Sequence, residues 1–243
     1  MIRAIIFDLD GTLVHTEILK AESYAQAIQI LTKGSVSQKM VLDSFGKYVG
    51  LSRAGVVNGL FEEYKKPLSE HLDGLDSEAV QERIITSRLA IYHQMLNDKT
   101  LLSSHFCQYN LELLRSVHKD NFKTVVATMS HRFEADMVIE AMGIRGKLDI
   151  ILTSIDIVQG KPHPEIYLKV KEMLKMEPEE CLVIEDSLHG IKAGLAAGMN
   201  VFAVTNPLTR SEVHAANVLA PSFIIDEPKE LIHRVYHFIE ESR

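Results

Sequence analysis

Ala4-Ile5-Ile6-Phe7-Asp8-Leu9-Asp10-Gly11-Thr12-Leu13 is the stretch that decides the fold. Four apolar residues run directly into two aspartates spaced two apart, then a glycine and a threonine. A short unbroken apolar run reads as a strand covered on both faces, as in parallel sheets. Asp8 and Asp10 then stand at its carboxyl end, where open α/β sheets bind their ligands. Two carboxylates in one place repel each other unless a positive charge compensates. A divalent cation meets that need, and Mg2+ prefers oxygen ligands. Gly11 lets the chain turn sharply away. An acidic β-turn would use the same residue types, but the apolar run before the pair and the Gly-Thr after it favour a ligand site.

Working outward, five more apolar runs share the first one's character: 124–127, 148–152, 181–184, 201–204 and 223–225. Helical patterns separate them. Residues 132–142 end at Gly143, 164–174 begin at Pro164, and 187–197 end at Gly198. Glycine suits the left-handed position after a helix, and proline its first turn. Strand alternating with helix implies an α/β fold with a doubly wound parallel sheet. The stretch 15–101 differs, with helical periodicity at 21–31, 52–64 and 77–96 and no convincing strand. The expected organisation is an α/β core from 1–14 and 102–243, with an inserted all-helical cap domain over 15–101. No internal repeat or low-complexity segment interrupts it.

Composition narrows the class. The 243 residues are 46% hydrophobic and 24% charged, which supports a packed core. Twenty-six basic against thirty-three acidic residues give a net charge of −7. That balance disfavours a nucleic-acid partner. No stretch reaches the roughly 18 apolar residues of a membrane span, and the first residues do not form a signal peptide. Cys107 and Cys181 lie far apart and outside any C-x-x-C pair, so neither a disulfide framework nor a zinc knuckle is expected. A cytoplasmic protein is the expectation; the oligomeric state is not legible.

Three later stretches also set polar residues where a strand gives way to loop or helix. They are Val125-Val126-Ala127-Thr128-Met129-Ser130, Gly160-Lys161-Pro162-His163-Pro164-Glu165 and Leu182-Val183-Ile184-Glu185-Asp186-Ser187. An acidic pair at a buried strand end is costly without a cation. Ser130 and Ser187 are also natural helix N-caps. Together with the first stretch, these motifs resemble those of the haloacid dehalogenase superfamily, in the expected order and over essentially the whole chain.

The resemblance implies a Rossmann-like core and a phosphoric monoester hydrolase. It implies Asp8 as nucleophile, through an aspartyl phosphate, and Asp10 as general acid and base. Asp10 itself points to phosphoryl transfer, because the superfamily's dehalogenases lack it. Thr128 and Lys161 would hold phosphoryl oxygens, with donors added by Met129 and Ser130. Mg2+ would be held by Asp8, the Asp10 backbone carbonyl and Asp186. Glu185 would sit on the metal or beside the residues that hold it. His163 has no fixed role.

The helical cap resembles the subgroup of phosphoglycolate phosphatases, sugar-phosphate phosphatases and β-phosphoglucomutase. Val49-Gly50-Leu51-Ser52-Arg53 makes Arg53 the first candidate for a cap-side substrate contact; Lys20 and Arg88 follow. Several positions depart from the subgroup. His15 stands where an Asp is common, and Lys20 falls near the place of the mutase's histidine. Leu101-Leu102-Ser103-Ser104-His105 replaces a usual Pro-Gly. These departures favour Mg-dependent hydrolysis of a small phosphorylated metabolite, of sugar-phosphate or phosphoglycolate type. A phosphosugar mutase is the alternative, and a binding module without turnover a lesser one. His233 and His237, spaced for a helical metal pair, lack a third ligand and read as a surface helix.

Overall fold

A computed structural model describes residues 1–48 and 53–242. The segment 49–52 that led to Arg53 lies outside the described residues, and so does the predicted start of that helix. The chain forms two compact units, Met1–His15 with Leu102–Arg243, and Thr16–Leu101.

The first unit is built on six parallel strands. They are β1 (Ala4–Phe7), β2 (Lys123–Ala127), β3 (Ile150–Leu152), β4 (Cys181–Glu185), β5 (Asn200–Val204) and β6 (Ile224–Ile225), in the order β3-β2-β1-β4-β5-β6. Winding proceeds outward from β1 to β3, then restarts on the other side of β1 with β4. The reversal leaves a crevice at the carboxyl ends of β1 and β4, the usual ligand position in such sheets. Register places Phe7 opposite both Val126 and Ile184, so the polar residues after all three strands emerge at one level.

Both faces of the sheet are covered, which explains the continuous apolar runs. On one face Ala4, Ile6, Val125, Ala127, Val183, Val201 and Ala203 pack with Ile166, Tyr167 and Val170 of α9 (Glu165–Leu174) and Ile191 and Ala193 of α10 (Leu188–Ala196). The alternate strand residues Ile5, Phe7, Val126 and Ile184 are equally buried. On the other side of the sequence, α7 (Gln108–Lys119) packs on β2 and on α12 (Leu231–Glu241). The remaining helices of this unit are α8 (Arg132–Ala141) and α11 (Arg210–Ala216).

Two runs are shorter than expected. The 148–152 run starts as a strand only at Ile150, because Arg145–Lys147 makes a tight turn and Asp149 spends its backbone and side chain on Thr124. The last run is limited to Ile224–Ile225 by a turn over Pro221–Phe223. Gly190, Gly194 and Gly198, spaced by four, serve different purposes. Gly198 takes φ +76° after α10, and a Cβ on Gly190 would collide with the Glu185 carboxylate. Only Gly194 permits close packing of helix on sheet: a Cβ there would lie 2.8 Å from Val201 Cγ2.

The second unit is helical throughout its described residues. It comprises α1 (Thr16–Leu31), α2 (Gln38–Ser44), α3 (Arg53–Glu63), α4 (Lys65–His71) and α5 (Ser77–Asn97), with α6 (Lys99–Ser103) spanning its end. Ser37 and Asp76 cap α2 and α5 by accepting from backbone N–H groups. Tyr24, Ile28, Val57, Leu60, Leu68 and Ile84 form its own core.

Replacing Gly194 with valine forces α10 away from β5. Overpacking of this kind costs about 1–3 kcal/mol, to be read as a lower urea midpoint with an unchanged slope. An unaltered midpoint would contradict the close contact.

Candidate active site

The polar residues of the four stretches meet at the carboxyl end of the sheet. Lys161, in the loop before α9, is at their centre. Its Nζ donates to Asp8 Oδ1 and to Glu185 Oε1, each at 2.6 Å, and to the Ala127 carbonyl at 3.0 Å. One ammonium thus ties together the ends of β1, β4 and β2. Its side chain is 4% exposed, and the Lys161–Pro162 peptide is cis. Burial alone would strip the proton from this lysine. The two carboxylates outweigh burial and hold its pKa well above the ordinary lysine value.

Asp8 carries the opposite tension. Burial pushes its carboxyl well above the usual range, against the pull of Lys161 and with the push of Glu185 and Asp10. A cation beside it would relieve that cost.

Glu185 is fully engaged. Oε1 also accepts from the Tyr167 hydroxyl at 3.0 Å. Oε2 accepts from the backbone N–H groups of Asp186 and Ser187 and from the Ser187 hydroxyl. The Tyr167 phenol is kept protonated by its burial and by the Glu185 charge. Glu185 therefore orients Lys161 from a wholly buried position.

Asp186 is oriented by a separate set. Thr12 Oγ1 donates to its Oδ1 at 3.3 Å and Asn206 Nδ2 to its Oδ2 at 2.8 Å. Asn110 in turn donates to the Thr12 carbonyl at 2.6 Å. Gly11 lies against this carboxylate with φ +88°, and a Cβ there would be 2.2 Å from Asp186 Oδ2. Glycine is required at Gly11 on both counts.

Asp10 accepts from the hydroxyls of Ser130 and Thr128, the latter at 3.3 Å. Ser130 was a natural cap for α8, yet His131 occupies that place, and no side chain caps the helix. The Ser130 hydroxyl is spent on Asp10 instead, and its N–H on Thr128 Oγ1. Ser187 does cap α10, accepting from Gly190 N. Met129 is 41% exposed and its methyl group covers Gly160.

These residues fit a hard divalent cation. Oxygen atoms of Asp8, Glu185 and Asp186 lie within 4.8 Å of one another. Three acidic side chains share one ammonium, and all the donors are oxygens, as Mg2+ requires.

The three cap candidates belong to the second unit. Arg88 is 4% exposed, with its guanidinium 4.8 Å from the Tyr24 ring and 4.6 Å from the Tyr92 ring. Burial raises the Tyr24 hydroxyl, while the charges of Arg88, Arg53 and Lys20 draw it back. The unit thus gathers all three cations around one phenol. Arg88 is a buried stacking residue, whereas Lys20 and Arg53 lie nearer solvent.

Sequence reasoning missed Tyr167, Asn206, Thr12 and Asn110. Asn206 follows the apolar run 201–204 and was within reach of the strand-end argument, and Thr12 stands in the first stretch without a role assigned; Tyr167 and Asn110 carry no such signal. Among the described residues, no helix is long and apolar enough to cross a membrane.

A parallel switch-point sheet with a carboxylate–lysine cluster at its strand ends defines a class of phosphoryl-handling α/β proteins. Residues 2–198 match the haloacid dehalogenase-like hydrolase family, and the chain belongs to it. It is 28% identical to a phosphorylated carbohydrates phosphatase of Thermotoga maritima, over 94% of this chain and 99% of that protein. It is 27% identical to the pyrophosphatase PpaX of Anoxybacillus flavithermus, over 95% of each. Among solved structures, a predicted phosphoglycolate phosphatase from Haemophilus somnus superposes with a TM-score of 0.73 at 19% identity, covering 96% of this chain and 98% of that one. A structure from Thermotoga maritima described as a putative beta-phosphoglucomutase superposes with a TM-score of 0.70 at 24% identity, covering 97% of this chain and 99% of that one.

Replacing Lys161 with methionine leaves Asp8 and Glu185 buried without their cation. Removing one partner of such a pair costs about 3–5 kcal/mol. Chemical unfolding at neutral pH without added metal is expected to show a loss of that size. A loss comparable to an exposed lysine substitution would contradict the buried bridge.

Proposed function

We propose that this chain is a Mg2+-dependent phosphatase of a small phosphorylated metabolite, working through an aspartyl phosphate on Asp8. The observation that carries this reading is the Lys161 ammonium, shared at 2.6 Å by Asp8 and Glu185 beside Asp186. The phosphatase names of two full-length relatives support it.

In the proposed reaction, Asp8 attacks phosphorus and the leaving alcohol departs in line. Covalent capture splits one slow hydrolysis into two easier steps. Mg2+, held by Asp8, Asp186 and the Asp10 backbone carbonyl, would supply charge neutralisation for the transferring oxygens. Lys161 turns the N–H it gives Asp8 to a second phosphoryl oxygen, and Thr128 turns its hydroxyl from Asp10 to a third. Preorganised charge of this kind dominates phosphoryl-transfer catalysis. Asp10 hands a proton to the leaving oxygen, then takes one from the water that attacks the phosphoaspartate. The Ser130 hydroxyl aims its carboxylate for both steps. Glu185 stays off the metal in this scheme and positions Lys161.

On the cap, we assign Arg53 and Lys20 to an anionic group elsewhere on the substrate. Arg88 stacks on the Tyr24 ring. A sugar phosphate with a second acidic group, or a phosphoglycolate-like substrate, meets that requirement. The mutase alternative differs in one product, because isomerisation frees no phosphate. A cytoplasmic location belongs to this reading, and two cysteines not joined in a disulfide are in keeping with it.

Phosphate release from a panel of phosphorylated metabolites is the test. Release is expected to need Mg2+, to stop with a chelator, and to fall by at least about a thousandfold in Asp8→Asn, since the covalent route is lost. No release from any compound by folded protein would overturn the hydrolase reading, and isomerisation without release would establish the mutase. For the substrate turned over best, Arg53→Ala is expected to raise KM about tenfold with little change in kcat, as for a binding contact shared by ground and transition states. An unchanged KM would remove Arg53 from substrate binding.

A further inference from the structure

The core unit contains a second recess, of about 360 Å³, that the proposed reaction does not use. Its wall includes Gly11, His15, Cys107, Asn110, Asn206 and Arg210. Three observations make it a built site. First, Cys107 Sγ lies 3.4 Å from His15 Nε2. Two chain crossings bring them together: His15 N donates to the His105 carbonyl and Cys107 N to the Leu13 carbonyl, each at 2.9 Å. The pairing is therefore set by backbone. Second, burial and the neighbouring His105 hold the His15 imidazole below its ordinary pKa, so it is a neutral acceptor at pH 7. Third, Asn110 is 2% exposed, and its amide orientation is fixed by donation to the Thr12 carbonyl. Its Oδ1 accepts no hydrogen bond among the described residues, although buried acceptors are normally satisfied. An acceptor left in this way suits a ligand that brings an N–H group.

We propose that Cys107 is a reversible thiolation site, taken by small amide-bearing disulfides, and that its occupation weakens the hold on Asp186. His15 Nε2 takes the proton of the Cys107 thiol. The thiolate attacks one sulfur of the disulfide RS–SR, forming a Cys107–SR bond as the RS–SR bond breaks. The departing RS⁻ leaves with the proton from His15, so that the small disulfide is reduced and Cys107 oxidised. The link to Asp186 runs through the recess wall. Gly11 packs on the Asp186 carboxylate, Asn206 donates to it, and Asn110 holds Thr12, which donates to it as well. A group attached at Cys107 presses on all three supports. Cys181 is an internal control: it is fully buried, and burial pushes its thiol up to about 11.

The test uses the full reduced chain with glutathione disulfide, followed by intact mass and peptide mapping. One adduct is expected, on Cys107, formed at least about tenfold faster than at Cys181. His15→Asn is expected to slow it several-fold while leaving the melting temperature and far-UV spectrum unchanged, with His15→Gln as a second variant. Modification at Cys181 first, or an undiminished rate in both folded His15 variants, would overturn the site. The coupling is read without reference to turnover, as the rise in melting temperature produced by Mg2+ alone. That rise is expected in the reduced protein, to shrink in the adduct, to return on reduction, and to persist after disulfide treatment of Cys107→Ser. An adduct whose Mg2+ response equals that of the reduced protein would overturn the coupling. Because this rests on the proposed function only for the metal, adduct chemistry and phosphate release can fail separately.

Discussion

Every part of the candidate site depends on one buried ammonium. Lys161 is out of water, and its charge survives only because Asp8 and Glu185 each approach to 2.6 Å. Those two side chains in turn come close to each other with Lys161 between them, donating to both. The three groups come from three separate segments, so the interaction is also a tertiary clasp across β1, β2 and β4. Its geometry is protected from further out. Five donors converge on Glu185, and Gly190 lacks the Cβ that would enter its space. A glycine in a helix, unfavourable by about 1 kcal/mol relative to alanine, thereby keeps a carboxylate in line with a lysine one turn of fold away.

Glu185 and Asp186 show how adjacent acids acquire different work. Successive residues leaving a strand point to opposite sides. Glu185 turns into the packed layer between sheet and α9, where Tyr167 and Lys161 meet it. Asp186 turns toward Gly11, Thr12 and Asn206, which hold it by hydrogen bonds weaker than a salt bridge. The first carboxylate is neutralised by the protein. The second is oriented yet not neutralised by any of these three, and that imbalance is the electrostatic reason the cluster suits a divalent cation.

The fold was legible because its signals are local. Six apolar runs each became a strand, since burial on both faces leaves no alternation to obscure them. Asp8, Asp10, Thr128, Glu185 and Asp186 were legible because each stands where a strand ends, and Lys161 because of its Gly-Lys-Pro setting before α9. The partners that aim them were not. Tyr167 occupies a helix position that any apolar ring would fill, and only the packing of α9 brings its hydroxyl to Glu185. Ser130 has the sequence context of a helix cap, and its use as a donor to Asp10 follows from how β2 lies beside β1. Arg88 reads as a surface cation on an amphipathic helix, but two tyrosine rings on α1 and α5 bury it. In each case the deciding contact is long-range, and a pattern within one segment carries no trace of it.

That division has a consequence for specificity. Neighbouring strands lie a fixed distance apart, roughly 4.8 Å, so groups at the ends of β2, β1 and β4 are spaced by the hydrogen-bond ladder itself. Substitutions elsewhere leave that spacing intact as long as the sheet forms. The cationic set around Tyr24 has no such ladder. Its members come from α1, α3 and α5, and helix packing tolerates shifts of register and angle that a parallel sheet does not. The spacing of the strand-end groups is therefore rigid by construction, while the packing around Tyr24 in the helical unit is free to vary with single side chains. Under the proposed function, a substrate preference carried by Lys20 and Arg53 could change without touching Lys161, so that which bond is broken and in which molecule would be answered by different parts of the chain.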